Sequence, residues 1–288
     1  MMKYLPKANI KILHNSIELG KIKHAIFDFD GTISILREGW EKVMEPVMIK
    51  SICGATEPGR EIIEEVRKFI DDTTGIQTIL QMEGLVEMVR KHGLVPEKKI
   101  LDAWGYKRIY NKKLMVSVKQ RIALLDSGEK TPADFTVAGA VNFCKKMDDR
   151  GVMMYLASGT DREDVRNEAQ KVAAAQYFKG GIYGAIGTIG EYSKDKVIKE
   201  ILHTHDLHGS ELAVFGDGPV EIRNAKENGA IAVGVASDEV TGSGWKEKKI
   251  KRLTRAGCDI LIPDFSHGEE LLQFLFNEIQ TGMVEQSV

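Results

Sequence analysis

Cysteine is scarce in this chain of 288 residues: Cys53, Cys144 and Cys258 stand far apart and odd in number. That excludes a disulfide framework and the spacing of a zinc site, and it points to reduced thiols in the cytosol. No uninterrupted apolar run is long enough to cross a bilayer, so a membrane partner is not expected. The opening residues Met1-Met2-Lys3-Tyr4-Leu5-Pro6-Lys7 lack the apolar stretch of a secretory signal, and the expected location is cytoplasmic. Neither sign of charge is in excess. A formal net charge of -2 offers little to a partner gripped by counterion release, so nucleic acid is not an expected partner either. A locally positive pocket for a small anion stays open. Internal repeats, low-complexity tracts and proline-rich linkers are also missing, which leaves one large domain or two moderate ones and no signal of oligomeric state.

What is present is an ordinary globular balance, 43% hydrophobic and 28% charged, enough to close a sizeable core. Residues 10–13 suggest an extra edge strand. His24-Ala25-Ile26-Phe27 is a short apolar run that stops at Asp28-Phe29-Asp30-Gly31-Thr32, the pattern of a buried strand ending in a carboxylate-rich turn. Residues 34–130 change character. Helical spacing dominates, as in Ile62, Val66, Phe69 and Ile70 or Leu85, Met88 and Val89, which predicts an all-helical insert. After Pro132 helices and strands alternate: helices over 133–149, 161–171, 194–203, 219–228 and 245–255, strands over 152–157, 212–215, 231–235 and 260–262. Such alternation predicts an α/β fold, a doubly wound parallel sheet with a Rossmann-like core. The expected division is a core of residues 1–32 and 131–288 with a helical cap of residues 33–130. In a sheet of this kind ligands bind outside the carboxyl ends of the strands.

Reactive groups gather at those ends: Asp28 with Asp30, then Ser158, Lys194, and Asp217 with Glu221. This ordered set resembles the haloacid dehalogenase superfamily, specifically its phosphatase members. Asp28-Phe29-Asp30-Gly31-Thr32 matches the first motif, Leu156-Ala157-Ser158-Gly159-Thr160 the second, Ser193-Lys194-Asp195-Lys196 the third, and Phe215-Gly216-Asp217-Gly218-Pro219-Val220-Glu221 the fourth. The resemblance implies that Asp28 attacks phosphorus and carries an aspartyl-phosphate. It implies that Asp30 protonates the leaving alcohol and then takes a proton from water. Asp28, Asp217 and the carbonyl of Asp30 resemble ligands for magnesium, a hard cation that prefers oxygen. Glu221 stands where the family often has a second aspartate, and it adds a fourth candidate, direct or through water. Ser158 would donate to a phosphate oxygen at the start of a helix. Lys194 would neutralise the transferred group; it is preferred over Lys196 because the family's lysine opens this helix.

The insert enters directly after the nucleophile's loop, where the family carries a cap that closes over the substrate. Residues 33–35 and 128–132 are candidate hinges. Thr73-Thr74-Gly75-Ile76-Gln77-Thr78 resembles the specificity loop in placement. Thr32, Gly159, Thr160, Arg37, Thr74 and Gln77 are the substrate-binding candidates, although a helix N-terminus would explain Gln77 and Thr78 equally well. The implied reaction is hydrolysis of a small phosphorylated metabolite such as a sugar phosphate. A phosphomutase is the runner-up, weakened because Arg37-Glu38-Gly39-Trp40 contains no histidine. A binding protein that kept the fold is a third reading, and a phosphonate hydrolase would need a desolvated cap lysine, which nothing marks at Lys42 or Lys50.

Each feature also has a plain structural reading. Asp-Gly pairs form turns and serines cap helices; lone lysines are usually solvated. His203, His205 and His208 read as solvated histidines, residues 180–187 as a flexible connection, and the basic run 246–252 as a solvated helix face. Residues 104–108 read as packing between cap helices.

Overall fold

The computed structural model describes residues 2–5, 9–14, 17–187, 191–278 and 284–286. Among these residues nine strands form one sheet: β1 (Met2–Leu5), β2 (Ile10–Ile12), β3 (His24–Phe27), β4 (Met153–Asp161), β5 (Gly181–Ala185), β6 (Leu212–Gly216), β7 (Ile231–Val235), β8 (Ile260–Ile262) and β9 (Val284–Gln286). Their order is β5-β4-β3-β6-β7-β8-β2-β1-β9. Pairing is parallel from β5 to β8 and antiparallel beyond it. The parallel doubly wound core is as the alternation predicts. Residues 10–12 do form a strand, but not at an edge, because β1 and β9 lie outside it.

Residues 181–185 differ from the expected flexible connection and form the edge strand β5. Glycine here reflects close approach, not looseness. A Cβ on Gly180 would fall 2.3 Å from the Tyr155 ring, and one on Gly184 would fall 2.7 Å from the backbone of Arg162. The helix expected over 133–149 is also shorter. A single turn at Pro132–Phe135 is closed by reciprocal Thr131–Asp134 capping. The chain then passes Gly139, whose φ of +76° and contact with the Phe265 carbonyl leave no room for a side chain.

Helices α5 (Ala140–Asp149), α6 (Arg162–Lys171), α7 (Lys194–Thr204), α8 (Pro219–Glu227), α9 (Glu247–Ala256) and α10 (Gly268–Leu275) cover the sheet. The period of two along each strand sorts side chains between its faces. Ala25, Phe27, Ala213 and Phe215 enter one cluster with Phe143 and Phe265. Ile26, Leu212 and Val214 enter the other with Val197, Ile222 and Leu253. Four further helices, α1 (Trp40–Cys53), α2 (Arg60–Asp72), α3 (Thr78–His92) and α4 (Ala103–Asp126), form the inserted cap. They share a third cluster built on Met44, Met48, Val66, Met82, Leu85 and Leu114. Its two connections to the core run side by side, with Ser34 bridging Asp30 and Thr136. Among the described residues no helix is long and apolar enough to cross a membrane.

The floor beneath the strand ends is aromatic. Phe27 and Phe215 stack with centroids 4.4 Å apart, and Phe143 meets Phe215 edge-on at 5.5 Å. Asp28 follows Phe27 directly and Asp217 lies two residues past Phe215, so this packing sets the height of both carboxylates. Phe215→Ala is expected to lower the unfolding free energy by about 3–5 kcal/mol. Urea titration checks this, and a loss under about 1 kcal/mol would show that the floor does not carry the strand ends.

Candidate active site

Five of the expected residues, Asp28, Asp30, Ser158, Lys194 and Asp217, reach one cavity from the sheet and the start of one helix. β3 stops at Phe27 and the Asp28 amide still donates to the Phe215 carbonyl at 2.8 Å. The chain then turns, with the amides of Thr32, Ile33 and Ser34 all donating to the Phe29 carbonyl and Gly31 at φ +75°. β4 runs past Ser158 to Asp161, but its register with β5 shifts after Ala157. A shift of this kind re-aims side chains, here Ser158 and Thr160, toward Asp30. β6 ends at Gly216 and delivers Asp217. Lys194 is the first residue of α7, whose Ser193 cap accepts from the Lys196 amide at 3.1 Å.

The cavity, about 70 Å³ in volume, is lined by Asp28, Asp30, Ser158, Lys194 and Asp217 on the core side. Lys194 is buried and donates to Asp28 Oδ1 at 2.7 Å and to Glu221 Oε1, whereas Lys196 is exposed. Burial raises the Asp28 carboxyl well above its ordinary range against the pull of Lys194, and the nearby charges of Glu221 and Asp217 add to the rise. Asp30 accepts from Thr160 Oγ1 at 3.0 Å and Ser158 Oγ at 3.4 Å, and its Oδ1 has no hydrogen-bond partner. Its carboxyl is also raised, by burial, with Arg37 opposing. Asp217 goes the other way. Burial works to raise it, but Lys249 at 2.8 Å and Arg252 outweigh that and hold it lowered.

The oxygen-rich set suits a divalent cation. Asp217 presses on the Asp28–Asp30 turn so closely that a Cβ on Gly31 would fall 2.5 Å from its Oδ2, and Glu221 Oε2 is buried without a partner. Among the described residues no cluster of three or more His, Cys, Asp or Glu forms a complete cation cage. Magnesium does not need one: it commonly takes one or two carboxylates, waters and substrate phosphate.

The other candidates divide. Gly159, Thr160, Arg37 and Thr74 line the cavity. Gly159 admits the cap loop, since a Cβ there would lie 2.3 Å from the Ile76 carbonyl. Arg37 is enclosed by Glu168, at 2.6 Å and 3.0 Å, by Asp164 at 3.3 Å and by Asp30 at 3.8 Å. Burial raises the Glu168 carboxyl to about 7 even beside Arg37. The Thr74 hydroxyl donates to the Ile70 carbonyl and accepts from Arg252. Gln77 and Thr32 do not reach the cavity. The Gln77 amide donates to the Tyr192 carbonyl instead, and Thr32 is wholly buried under the turn. Gln77 is drawn to an unmet backbone carbonyl and the Thr32 hydroxyl is buried without a partner, neither of which spacing along the chain reveals.

A match to the family model described as haloacid dehalogenase-like hydrolase spans residues 22–229, more than half of the chain. The chain belongs to the haloacid dehalogenase-like hydrolases. No curated protein matches it significantly in sequence. Among solved structures it is similar to one described as a predicted phosphatase from Clostridium acetobutylicum, with 16% identity, TM-score 0.57, and 88% of this chain and 99% of that one covered. It is equally similar to β-phosphoglucomutase from Clostridium difficile, with 16% identity, TM-score 0.57 and coverage of 89% and 98%. A predicted phosphoglycolate phosphatase from Haemophilus somnus follows at 11% identity, TM-score 0.58 and coverage of 88% and 99%. At such identities the likeness is one of fold.

This hydrolase also places residues at the site that its sequence did not mark. Trp40, Gln81, Tyr110 and Leu114 form the cap wall of the cavity together with Ile76 and Thr78 of the expected specificity loop. The basic run 246–252 is a solvated face only in part, through the exposed Lys246, Lys248 and Lys251. Lys249 and Arg252, three apart on α9, point inward and are buried against Asp217. Their i, i+3 spacing was the available signal, but the acids that receive them lie far off in sequence. Lys107, expected to pack within the cap, reaches the core at Asp161. The exposed His205 is hydrogen-bonded to Tyr155 at 3.0 Å, and Tyr155 to His24 at 3.1 Å.

Gly159→Ala is expected to push the cap loop off the site. The expected result is a fall of about tenfold or more in turnover with the melting temperature nearly unchanged. Wild-type turnover in this variant would mean that the loop contact is dispensable.

Proposed function

We propose that this hydrolase cleaves a small phosphomonoester, a sugar phosphate or a similar polyol phosphate, through an aspartyl-phosphate on Asp28 with magnesium bound. The observation that carries the reading is the buried Lys194–Asp28 contact of 2.7 Å at the floor of a cavity shared with Asp30 and Asp217.

Lys194 holds one oxygen of Asp28 and leaves the other to form the bond to phosphorus as the ester P–O bond breaks. Asp30, whose raised carboxyl keeps its proton more readily than usual, hands that proton to the departing oxygen. Water then attacks phosphorus, Asp30 takes back a proton, and the Asp28–phosphorus bond breaks. The Ser158 hydroxyl, which lies within β4 and not at the expected helix start, would donate to an equatorial oxygen, and Lys194 offsets the charge throughout. Magnesium, held by Asp28, Asp217 and the Asp30 carbonyl with Glu221 behind them, would supply charge neutralisation between the carboxylate nucleophile and the phosphate. The docked cap loop excludes water from the first step.

The cap wall argues for an uncharged leaving group. Its apolar members Trp40, Ile76, Tyr110 and Leu114 offer faces to carbon-bound hydrogens, and Thr78 and Gln81 offer polar contacts to hydroxyls. Among the described residues Arg37 is the one cation lining this side of the cavity, and it is matched by Glu168, Asp164 and Asp30. A second anionic group on the substrate would meet no surplus positive charge. Among the described residues no histidine lines the cavity, which favours release to water over transfer back to a sugar hydroxyl.

Asp28→Asn is expected to lower magnesium-dependent phosphate release from an aryl phosphate by about a thousandfold or more, with an unchanged circular dichroism spectrum. Full activity in that variant would remove Asp28 as nucleophile. In a panel of matched esters, a neutral polyol phosphate is expected to exceed phosphoglycolate in kcat/KM by about tenfold or more. Equal or reversed values would refute the uncharged leaving group.

A further inference from the structure

One buried guanidinium touches both the cap and the loop that carries Asp217. Arg252 on α9 is only 4% exposed. Its Nη2 donates to the Asp217 carbonyl at 3.0 Å and lies 3.8 Å from Asp217 Oδ2. Its Nη1 faces the cap, donating to Thr74 Oγ1 at 3.1 Å and to Asp71 Oδ1 at 3.3 Å, with Glu41 Oε1 at 3.5 Å. Thr74 in turn is tied to the end of α2 through the Ile70 carbonyl. The next residue, Gly75, sits so close to Glu221 that a Cβ would fall 2.5 Å from its carboxylate. Lys248 and Arg255 add weaker pairs to the same cap acids, at 3.3 Å and 3.9 Å from Asp71.

We propose that Arg252 is a positioning residue that couples closure of the cap to the placement of the Asp217 carboxylate. The proposal rests on reading Asp217 as part of the cation site. The physical basis is competition for one fork of N–H donors. A buried guanidinium keeps its charge and takes whatever carboxylate is in reach. With the cap docked, Glu41 and Asp71 hold one side of it, and Asp217 offers only its backbone carbonyl at hydrogen-bond distance. With the cap lifted, Glu41, Asp71 and Thr74 leave together, and the nearest remaining carboxylate is that of Asp217. Closure therefore draws Arg252 away from the Asp217 side chain, leaving the carboxylate to Lys249 and the cation. Opening lets Arg252 claim it. The device makes the site competent only when the substrate is enclosed.

The test uses the full-length protein with cysteines introduced at Leu94 in the cap and Met153 in the core, both exposed at 41% and 38%. The native cysteines are buried, so a donor–acceptor dye pair labels the new sites. Energy transfer is followed on adding magnesium and orthovanadate, alongside steady-state kinetics on an aryl phosphate. In Arg252→Gln and in Asp71→Asn, kcat is expected to fall about tenfold with KM changed by less than about twofold. The vanadate-induced rise in energy transfer should shrink in both. The double variant should be no worse than the weaker single, since both act through one contact. Additive losses, or an intact energy-transfer response beside lost activity, would overturn the proposal. If Arg252→Gln does not fold, Asp71→Asn alone decides: unchanged kcat and closure overturn the coupling. If the wild type releases no phosphate, the hydrolase reading fails, and loss of closure in Asp71→Asn still reports on the latch.

Discussion

Carboxylates buried together repel one another, and much of this structure is an arrangement of cations that makes their burial tolerable. Asp28, Asp217 and Glu221 are all at least 95% covered, and Asp30 completes the group. An unpaired charge in such a place is costly, and losing one partner of a buried ion pair costs about 3–5 kcal/mol. The cations come from three separate places. Lys194 opens α7 and serves Asp28 and Glu221. Lys249 and Arg252 rise from α9 toward Asp217, and Arg37 leaves the first cap connection to meet Glu168 and Asp30. No single segment is sufficient, so the site exists only when the sheet, its helices and the cap are assembled.

The two ends of this charge network behave differently. Asp28 and Asp30 have raised carboxyls because burial dominates, whereas two cations hold Asp217 low. On the proposed reading, a residue that carries and returns a proton is thereby separated from one suited to a permanent negative charge, the division of labour that acid–base chemistry at neutral pH requires. The aromatic stack beneath the strand ends gives these groups a rigid base, since packed interiors transmit displacement rather than absorb it.

The cap adds a second kind of constraint. Its hydrophobic cluster is largely its own; Ile122 and Leu125 of α4 pack on the core cluster, and around the site the cap meets the core through polar contacts: Gln77 on Tyr192, Lys107 on Asp161, Arg252 on Asp71 and Thr74. Contacts of this type are made and broken at lower cost than apolar burial, which suits an element that must admit a substrate. Glycines at 75 and 159 let the backbone approach that closely.

Much of the fold was legible in the chain because hydrophobic period is a local property. The runs 24–27, 212–215 and 231–235 read as buried strands, and the helical spacing after residue 34 read as an insert. The four motifs likewise placed Asp28, Asp30, Ser158, Lys194 and Asp217 at strand or helix ends, and the fold gathers them at one cavity. Glycine misled where it marked close packing, as in β5, and residues 246–252 misled because charge alone does not show which side of a helix is covered. Only the tertiary structure decided that Lys249 and Arg252 face inward, that Glu168 encloses Arg37, and that Gln77 binds a backbone carbonyl in place of the cavity. Each of those outcomes depends on a partner more than 25 residues away, and pairing over such distances is set by packing, not by neighbouring sequence.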